Sequence, residues 1–255
     1  MSDLVLDAHA HCGLSIPYEN LTRAWDAGNI RGGVVFSPVE EIYDRTDPYF
    51  KDSDNYRKSR AWVHRYLRGI ASRDYIFPYF FVWNDFPEIP EGFFGIKWHR
   101  HPGEPVYNYG TSECEAFIEE LIRRKLPVVL EEEFANTLDF IRIISGRTVI
   151  IIPHMGMMNG GYARLKRIGA FDTQTVWVDT SLANPTEIED FAATHGIDRI
   201  LFGSDYPFGQ PAEERAKVEA IFSGEELSAV LAGNLLRLLK RPMGLLPSQS
   251  ASGNR

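Results

Sequence analysis

The stretch LPVVLE, residues 126–131, is a run of apolar residues that ends on an acidic side chain. Apolar residues in succession, without alternation, are typical of a strand that is buried on both faces of a parallel sheet. Similar runs recur along the chain, and segments with helical periodicity separate them. The eight runs are 4–9, 32–37, 75–83, 93–99, 126–131, 148–154, 175–180 and 199–205. Strands that alternate with helices in this way predict an α/β fold, the (β/α)8 or TIM barrel.

Two intervening segments carry helix start signals, and one lacks them. Asn184, followed by Pro185, predicts a capped helix start, and Ser223 followed by Glu226 has the spacing of a capping box. The segment NDFPEIPEG, 84–92, between the third and fourth strands, is short and holds two prolines. Proline cannot donate a backbone hydrogen bond, so we expect no regular helix there and a barrel distorted at that connection.

Length and composition indicate one globular domain. The chain has 255 residues, 44% of them hydrophobic, which suits a single barrel of ordinary size. We predict one domain over residues 1–244. The Ser/Gly-rich stretch LLPSQSASGNR, 245–255, is expected to be a disordered tail.

Charge and cysteine content restrict the partners and the compartment. The net charge is −8 and no basic patch stands out, which argues against nucleic acid and anionic membrane as partners. No apolar run is long enough to span a bilayer, and the start MSDLVLDAHA lacks the pattern of a signal peptide. The two cysteines, Cys12 and Cys114, cannot form a disulfide framework. These features predict a reduced, cytoplasmic protein.

Polar side chains stand at the carboxyl ends of the predicted strands, where the strands of a barrel bring side chains to one cavity. They are Asp7, His9 and His11 on strand one, Lys97 and His99 on strand four, Glu131 on strand five, His154 on strand six, Asp179 on strand seven and Asp205 on strand eight. His9 and His11 are two residues apart and therefore share a face. Buried polar groups are costly without partners, and a metal ion with water is the simplest partner for imidazoles and carboxylates.

A second pair with the same spacing, His99 and His101, is interpreted differently. It runs past the strand into Pro102 and Gly103, so we do not expect its two members to act together.

Five motifs resemble the amidohydrolase superfamily, in particular its small single-barrel hydrolases and decarboxylases related to aminocarboxymuconate semialdehyde decarboxylase. They are VLDAHAHCG, GIKWHR, IIPHMG, LFGSDYP and AGNLLRLL, which run from the first strand to the final helix. The resemblance implies a divalent metal ion held by His9, His11, a strand-five residue and Asp205. It also implies that His154 assists the water or the substrate, and that the protein forms a homodimer.

Strand five departs from the pattern of the family, which usually reads Pro-Val-Leu-Ile-His, because Glu131 stands where the histidine is expected. One interpretation is that Glu131 ligates the metal; we expect Zn²⁺, with Mn²⁺ or Fe²⁺ as alternatives. The other interpretation is that Glu131 pairs with Lys97, or accepts a hydrogen bond beside the metal, and that the metal is weakly bound or lost.

Three functions follow from the resemblance and the residues. The first is a metal-dependent hydrolase that cleaves an amide, lactone or ester bond of a small anionic substrate. In it Asp205 acts as general base, His154 orients the water, and Lys97 with His99 binds the substrate. The second is a decarboxylase of an aromatic or enol carboxylate in the same site. The third is a metal-free lactonase, or an inactive barrel that binds a small ligand.

Overall fold

The strands form one parallel sheet in a computed structural model, which describes residues 4–144 and 146–240. The neighbour order runs without interruption from β1 to β8. The strands are β1 (Leu6–His11), β2 (Gly32–Phe36), β3 (Ile76–Phe81), β4 (Gly95–His99), β5 (Val128–Glu131), β6 (Ile150–Ile152), β7 (Val176–Asp179) and β8 (Ile200–Leu201). Each lies within one of the predicted runs or extends it at the end. The predicted boundary at residue 244 and the predicted tail lie outside the described residues.

The segment after β8 returns to β1 and brings the two ends of the sheet together. The amide of Ala8 donates to the carbonyl of Phe202 at 2.7 Å, and Ala10 forms a parallel bridge with Tyr206. The predicted TIM barrel is therefore confirmed.

Helices lie between the strands, as the periodicity predicts. They are α1 (Tyr18–Ala27), α2 (Asp54–Ile70), α3 (Ser112–Arg123), α4 (Phe134–Ile144), α5 (Tyr162–Arg167), α6 (Pro185–His195), α7 (Pro211–Ile221), α8 (Gly224–Ser228) and α9 (Asn234–Leu238). The side chain of Asn184 caps α6 by accepting from the amide of Thr186 at 3.1 Å. Ser223 precedes α8, but its side chain forms no capping hydrogen bond. None of the helices in the described parts of the chain is long and apolar enough to cross a bilayer.

The connection between β3 and β4 contains no helix, as expected from its prolines. Every other connection up to β7 carries at least one helix or helical turn. The ring of helices around the barrel is therefore interrupted between α2 and α3.

The buried apolar residues form two clusters, one inside the barrel and one between the strands and the outer helices. Alternate strand residues, such as Phe36, Val129 and Ile151, form the smaller cluster together with Leu235 of α9. The intervening strand residues pack with the helices in the larger cluster. The ring of Phe36, at the end of β2, packs against the site described next, with its centroid 4.8 Å from that of His9 and 4.9 Å from that of His11.

Candidate active site

His9, His11 and Asp205 come together at the carboxyl ends of β1 and β8. Nε2 of His9 is 3.3 Å from Oδ1 of Asp205, and Nε2 of His11 is 3.2 Å from the same oxygen. All three residues are buried. Asp205 has a φ of 55°, a conformation that costs a residue other than glycine about 1–3 kcal/mol and is often found at functional sites. The convergence that the sequence predicts for these residues is therefore present.

Asp7 does not join this group. The register of β1 against β2 shifts between Asp7 and Ala10. The Asp7 carboxylate instead accepts from Nε1 of Trp25 at 2.9 Å and from the amide of Ser204 at 2.9 Å. The irregularity in β1 separates Asp7 from the two histidines, although strict alternation would place all three on one face.

The orientation of three histidine rings is fixed by hydrogen bonds from Nδ1. The acceptors are Oδ2 of Asp179 for His9 (2.8 Å), the carbonyl of Ser37 for His11 (3.1 Å) and the carbonyl of Ser181 for His154 (3.0 Å). With Nδ1 engaged by these acceptors, Nε2 of His9 and of His11 is directed toward Asp205, and each offers a lone pair once its Nε2 proton is lost. Metal-binding histidines use their second nitrogen in the same way, so this donor set fits a divalent cation.

Two further groups bring ligand atoms together within the described residues, but neither fits a cation as well. In the group of His9, His154 and Asp179, the Asp179 carboxylate is occupied by His9 and by the amide of His154 at 3.1 Å. In the group of His99, His101 and Glu131, Arg45 donates to Nδ1 of His101 at 3.1 Å. The His101 proton therefore lies on Nε2 and is donated to Glu131 at 2.8 Å.

The electrostatics around His9 also favour a cation. Burial and the charge of Lys97 lower the pKa of His9, but the carboxylates of Asp179 and Asp205 outweigh them and raise it to about 9. In the absence of a metal the buried carboxylates hold a proton on the imidazole, and a divalent cation would compete for the same lone pair.

Lys97 and Glu131 form a buried ion pair beside this group. Lys97 is fully buried, and its Nζ contacts Oε1 of Glu131 and lies 3.4 Å from Nε2 of His9. Burial would raise the pKa of Glu131, but Lys97 and the neighbouring histidines hold it well below its usual range. This pairing is the alternative to metal ligation that the sequence of strand five indicates. Oε1 of Glu131 is 3.8 Å from Nε2 of His9, so Glu131 borders the group of His9, His11 and Asp205.

The expectation that His99 and His101 act separately is wrong. Nε2 of His99 is 3.4 Å and Nε2 of His101 is 2.8 Å from the same oxygen of Glu131. The amide of Arg100 donates to the carbonyl of Glu131 at 2.9 Å, so the chain stays paired with β5 beyond the end of β4. Because of this pairing, the imidazoles of His99 and His101 both face Glu131 and the site.

The site opens into a cavity of about 190 Å³ at the mouth of the barrel. His99, His101 and His154 contribute polar walls, and Arg45 is the one arginine or lysine among its described lining residues. The apolar walls are Val39, Met157, Met158, Leu182 and Phe208. Sequence reasoning missed Arg45, because it lies in the loop after a short 3₁₀ turn and not at a strand end. Its Nε donates to Oε1 of Glu104 at 2.8 Å, which holds the guanidinium at the cavity.

His154 occupies an unusual backbone position. It lies just after β6, and both His154 and Met155 have positive φ values, 54° and 52°. Such strain is typical of functional turns whose surroundings hold them in place. Nε2 of His154 is 3.9 Å from Oδ2 of Asp205, on the cavity side. The predicted proximity of His154 to Asp205 is thus observed.

Titratable side chains that converge at the carboxyl ends of the strands of a parallel barrel define the active site of a TIM-barrel enzyme. The amidohydrolase family model matches residues 89–241, more than half of the chain. The protein belongs to the amidohydrolase family.

Solved structures with the same fold include both hydrolases and decarboxylases. A 2,6-dihydroxybenzoate decarboxylase from Rhizobium has a TM-score of 0.67 at 16% identity, over 93% of this chain and 98% of that one. A Pseudomonas putida protein assigned as a 2-pyrone-4,6-dicarboxylic acid hydrolase has a TM-score of 0.67 at 17% identity, over 94% and 98%. A 5-carboxyvanillate decarboxylase from Sphingomonas paucimobilis has a TM-score of 0.70 at 10% identity, over 94% and 100%. These identities support the fold alone, and no curated protein matches the chain.

Proposed function

We propose that the protein is a metal-dependent hydrolase that cleaves an amide, lactone or ester bond of a small anionic substrate. The observation that carries the proposal is that Nε2 of His9 and Nε2 of His11 lie 3.3 and 3.2 Å from one oxygen of Asp205, with Nδ1 of each ring anchored elsewhere. We further propose a cytoplasmic location, in agreement with the two free cysteines.

His9, His11 and Asp205 would hold one divalent ion, for which we propose Zn²⁺, with Mn²⁺ or Fe²⁺ as alternatives. Such an ion, when bound, polarises a carbonyl group and lowers the pKa of water. Both carboxylate oxygens of Glu131 already have partners, Oε1 in Lys97 and Oε2 in His101. The buried ion pair supports a role for Glu131 beside the ion, in which it holds Lys97 and His101 in position.

Asp205 and His154 are the groups suited to move protons. Burial would raise the pKa of Asp205, but His9 and His11 lower it, so its carboxylate is ionised and can accept a proton from water. Burial lowers the pKa of His154, but the carboxylate of Glu131 raises it above its ordinary value. A protonated Nε2 of His154 can donate to an oxyanion or orient the attacking water.

The proposed substrate is small and anionic. A cavity of about 150 Å³ accepts benzene, so the 190 Å³ observed here suits a molecule about the size of one ring. Glu104 and Glu40 pair with Arg45, so we propose that Arg45 binds a substrate carboxylate through its remaining N–H groups, with His99 beside it. Lys97, predicted from the sequence for this role, is fully buried against Glu131.

Two rival functions have specific support. The decarboxylases with the same fold favour decarboxylation of an aromatic carboxylate in this cavity. The ammonium of Lys97, 3.4 Å from Nε2 of His9, favours a metal-free site in which Lys97 provides the positive charge.

Metal content separates the metal-dependent functions from the metal-free one. We expect protein prepared without added metal to contain roughly one divalent ion per chain, and we expect His11→Ala to lose it. His195→Ala, which changes a histidine on α6 outside the site, is the control and should keep the ion. A folded wild-type protein without metal, active on a lactone, would contradict the metal-dependent hydrolase. Glu131→Gln should leave the metal content unchanged if Glu131 acts beside the ion.

The product distinguishes hydrolysis from decarboxylation. A panel of aromatic acids, lactones and amides is assayed for carbon dioxide release and for new carboxyl groups. We expect a new carboxyl group without carbon dioxide. Release of one carbon dioxide for each substrate molecule consumed would instead identify the protein as a decarboxylase.

Asp179→Asn is expected to weaken metal binding by roughly 10–100-fold, the usual effect of removing a carboxylate that orients a ligand histidine. Asp179 accepts from Nδ1 of His9 at 2.8 Å, and an asparagine can present an N–H to that nitrogen instead. The affinity is measured by competition with a chelator. Asp190→Asn removes a partly exposed carboxylate from α6 and should bind metal like the wild type. Equal affinities of the two variants would show that Asp179 does not orient His9.

A further inference from the structure

The interrupted ring of helices leaves a groove on the outside of the barrel. It lies between α2 and the irregular segment 84–92, has a volume of about 340 Å³, and reaches Phe80 and Phe81 of β3. It shares no lining residue with the catalytic cavity. An additional ligand could therefore occupy this groove without entering the catalytic site.

One side of α2 supplies four arginines to this groove, namely Arg57, Arg60, Arg65 and Arg68. Two are neutralised: Arg60 pairs with Asp52 and Asp85 at 2.7 Å each, and Arg57 pairs with Asp52 at 3.1 Å.

The other two, Arg65 and Arg68, are exposed, and their guanidinium groups have no acceptor among the described residues. Glu88 also lines the groove and is its one acidic group without an ion-pair partner in the described chain. Two free guanidinium groups one helical turn apart form a site for an anion with several oxygens.

Two polar atoms at the buried side of the groove lack partners. Nε of Arg60 and Nε2 of His64 are buried and form no hydrogen bond within the described residues, although these side chains are only 3% and 8% exposed. Buried polar atoms of native proteins nearly always have a partner, so both atoms indicate a missing one.

His64 is neutral. Its ring packs on Phe80 with the centroids 4.2 Å apart, and burial together with the charge of Arg60 lowers its pKa to about 3. A neutral imidazole has one N–H and one lone pair. His64 donates to the backbone of Phe81, and because Nε2 has no partner this donor is Nδ1. Nε2 therefore carries the lone pair and requires a donor, whereas the arginines require acceptors.

We propose that this groove binds a phosphate group, either as inorganic phosphate or as part of a small phosphorylated molecule. A hydrogenphosphate has oxygens that accept from Arg65, Arg68 and Arg60 and one hydroxyl that donates to His64. A carboxylate lacks that hydroxyl. The groove is larger than one phosphate group, so a small organic body attached to the phosphate also fits.

The proposal is tested by calorimetric titration of the whole protein with inorganic phosphate and with glycerol 3-phosphate at constant ionic strength. We expect saturable binding at millimolar concentration or below. The double variant Arg65→Gln/Arg68→Gln should weaken it by roughly tenfold or more, because each charge-assisted hydrogen bond contributes strongly to anion binding. Tighter binding of glycerol 3-phosphate would identify a phosphorylated molecule as the ligand, and equal or weaker binding would identify inorganic phosphate.

Two variants provide the controls. Lys58→Gln removes one positive charge from an exposed position of α2 outside the groove and should bind like the wild type. Arg45→Gln removes the cation of the catalytic cavity and should also bind normally. Absence of binding to the wild type, equal binding by the double variant, or loss of binding in Arg45→Gln would overturn the proposal.

Discussion

Asp205→Asn is expected to reduce kcat/KM by roughly 10²–10⁴-fold, the usual contribution of a general base, while the barrel stays folded. The carboxylate lies 3.3 and 3.2 Å from the two Nε2 atoms of the histidine pair, and it is ionised because both histidines lower its pKa. Asparagine has nearly the same shape but cannot accept the proton. The variant should therefore retain its circular dichroism spectrum while it loses turnover and part of its metal.

The matched control for this prediction is Asp198→Asn. Asp198 is an exposed aspartate shortly before β8 whose side chain is 77% exposed and pairs with Arg237. It should leave kcat/KM and metal content unchanged. If Asp205→Asn turned over substrate as fast as Asp198→Asn, Asp205 could not be the base, and the proposed hydrolase would lose its main support.

Lys97→Met is expected to lower the free energy of unfolding by about 3–5 kcal/mol, the loss typical of breaking a buried ion pair from one side. Methionine fills most of the volume of lysine, so lost packing contributes little. The variant leaves the carboxylate of Glu131, which is only 3% exposed, without its ammonium partner. Chemical denaturation of the wild type and the variant measures the difference.

A double-mutant cycle separates this electrostatic effect from a general loss of packing. Glu131→Gln removes the negative charge, so Lys97→Met/Glu131→Gln should be clearly more stable than the sum of the two single losses predicts. Additive losses would mean that the two side chains do not depend on each other. The exposed pair of Arg237 and Asp198 serves as reference, because breaking such a pair costs about 1 kcal/mol or less.

The KM values of the same three variants test whether Lys97 binds the substrate. If Lys97 bound the substrate, as predicted from the sequence, Lys97→Met would raise KM, and the change at Glu131 would not restore it. If it acts through the ion pair, the double variant should recover KM together with stability.

Most of the fold could be predicted from the sequence because its signals are local. Each of the eight apolar runs overlaps a strand, since a strand buried on both faces needs such a run whatever lies beside it. The two prolines of the segment 84–92 are also a local signal, and they predicted that this connection contains no helix. The capping hydrogen bond predicted for Ser223 is absent, because spacing alone does not orient a hydroxyl group.

The sequence also determined the centre of the candidate site. His9, His11, His154 and Asp205 stand at strand ends, and a closed parallel barrel brings the strand ends to one mouth. Knowledge of the strands was therefore sufficient to bring these side chains together, although they are far apart in the chain.

The partners of these residues were decided by the tertiary structure alone. Glu131 was compatible with a metal or with Lys97, and its contacts with Lys97 and His101 depend on the register between β4 and β5. Arg45 reaches the cavity from a loop, and a register shift in β1 turns Asp7 away from it. Periodicity shows which face a side chain takes on a regular element, but it contains no information on loop paths, strand irregularities or the choice between competing partners. That choice depends on distances between groups remote in the chain, which exist only once the barrel has closed.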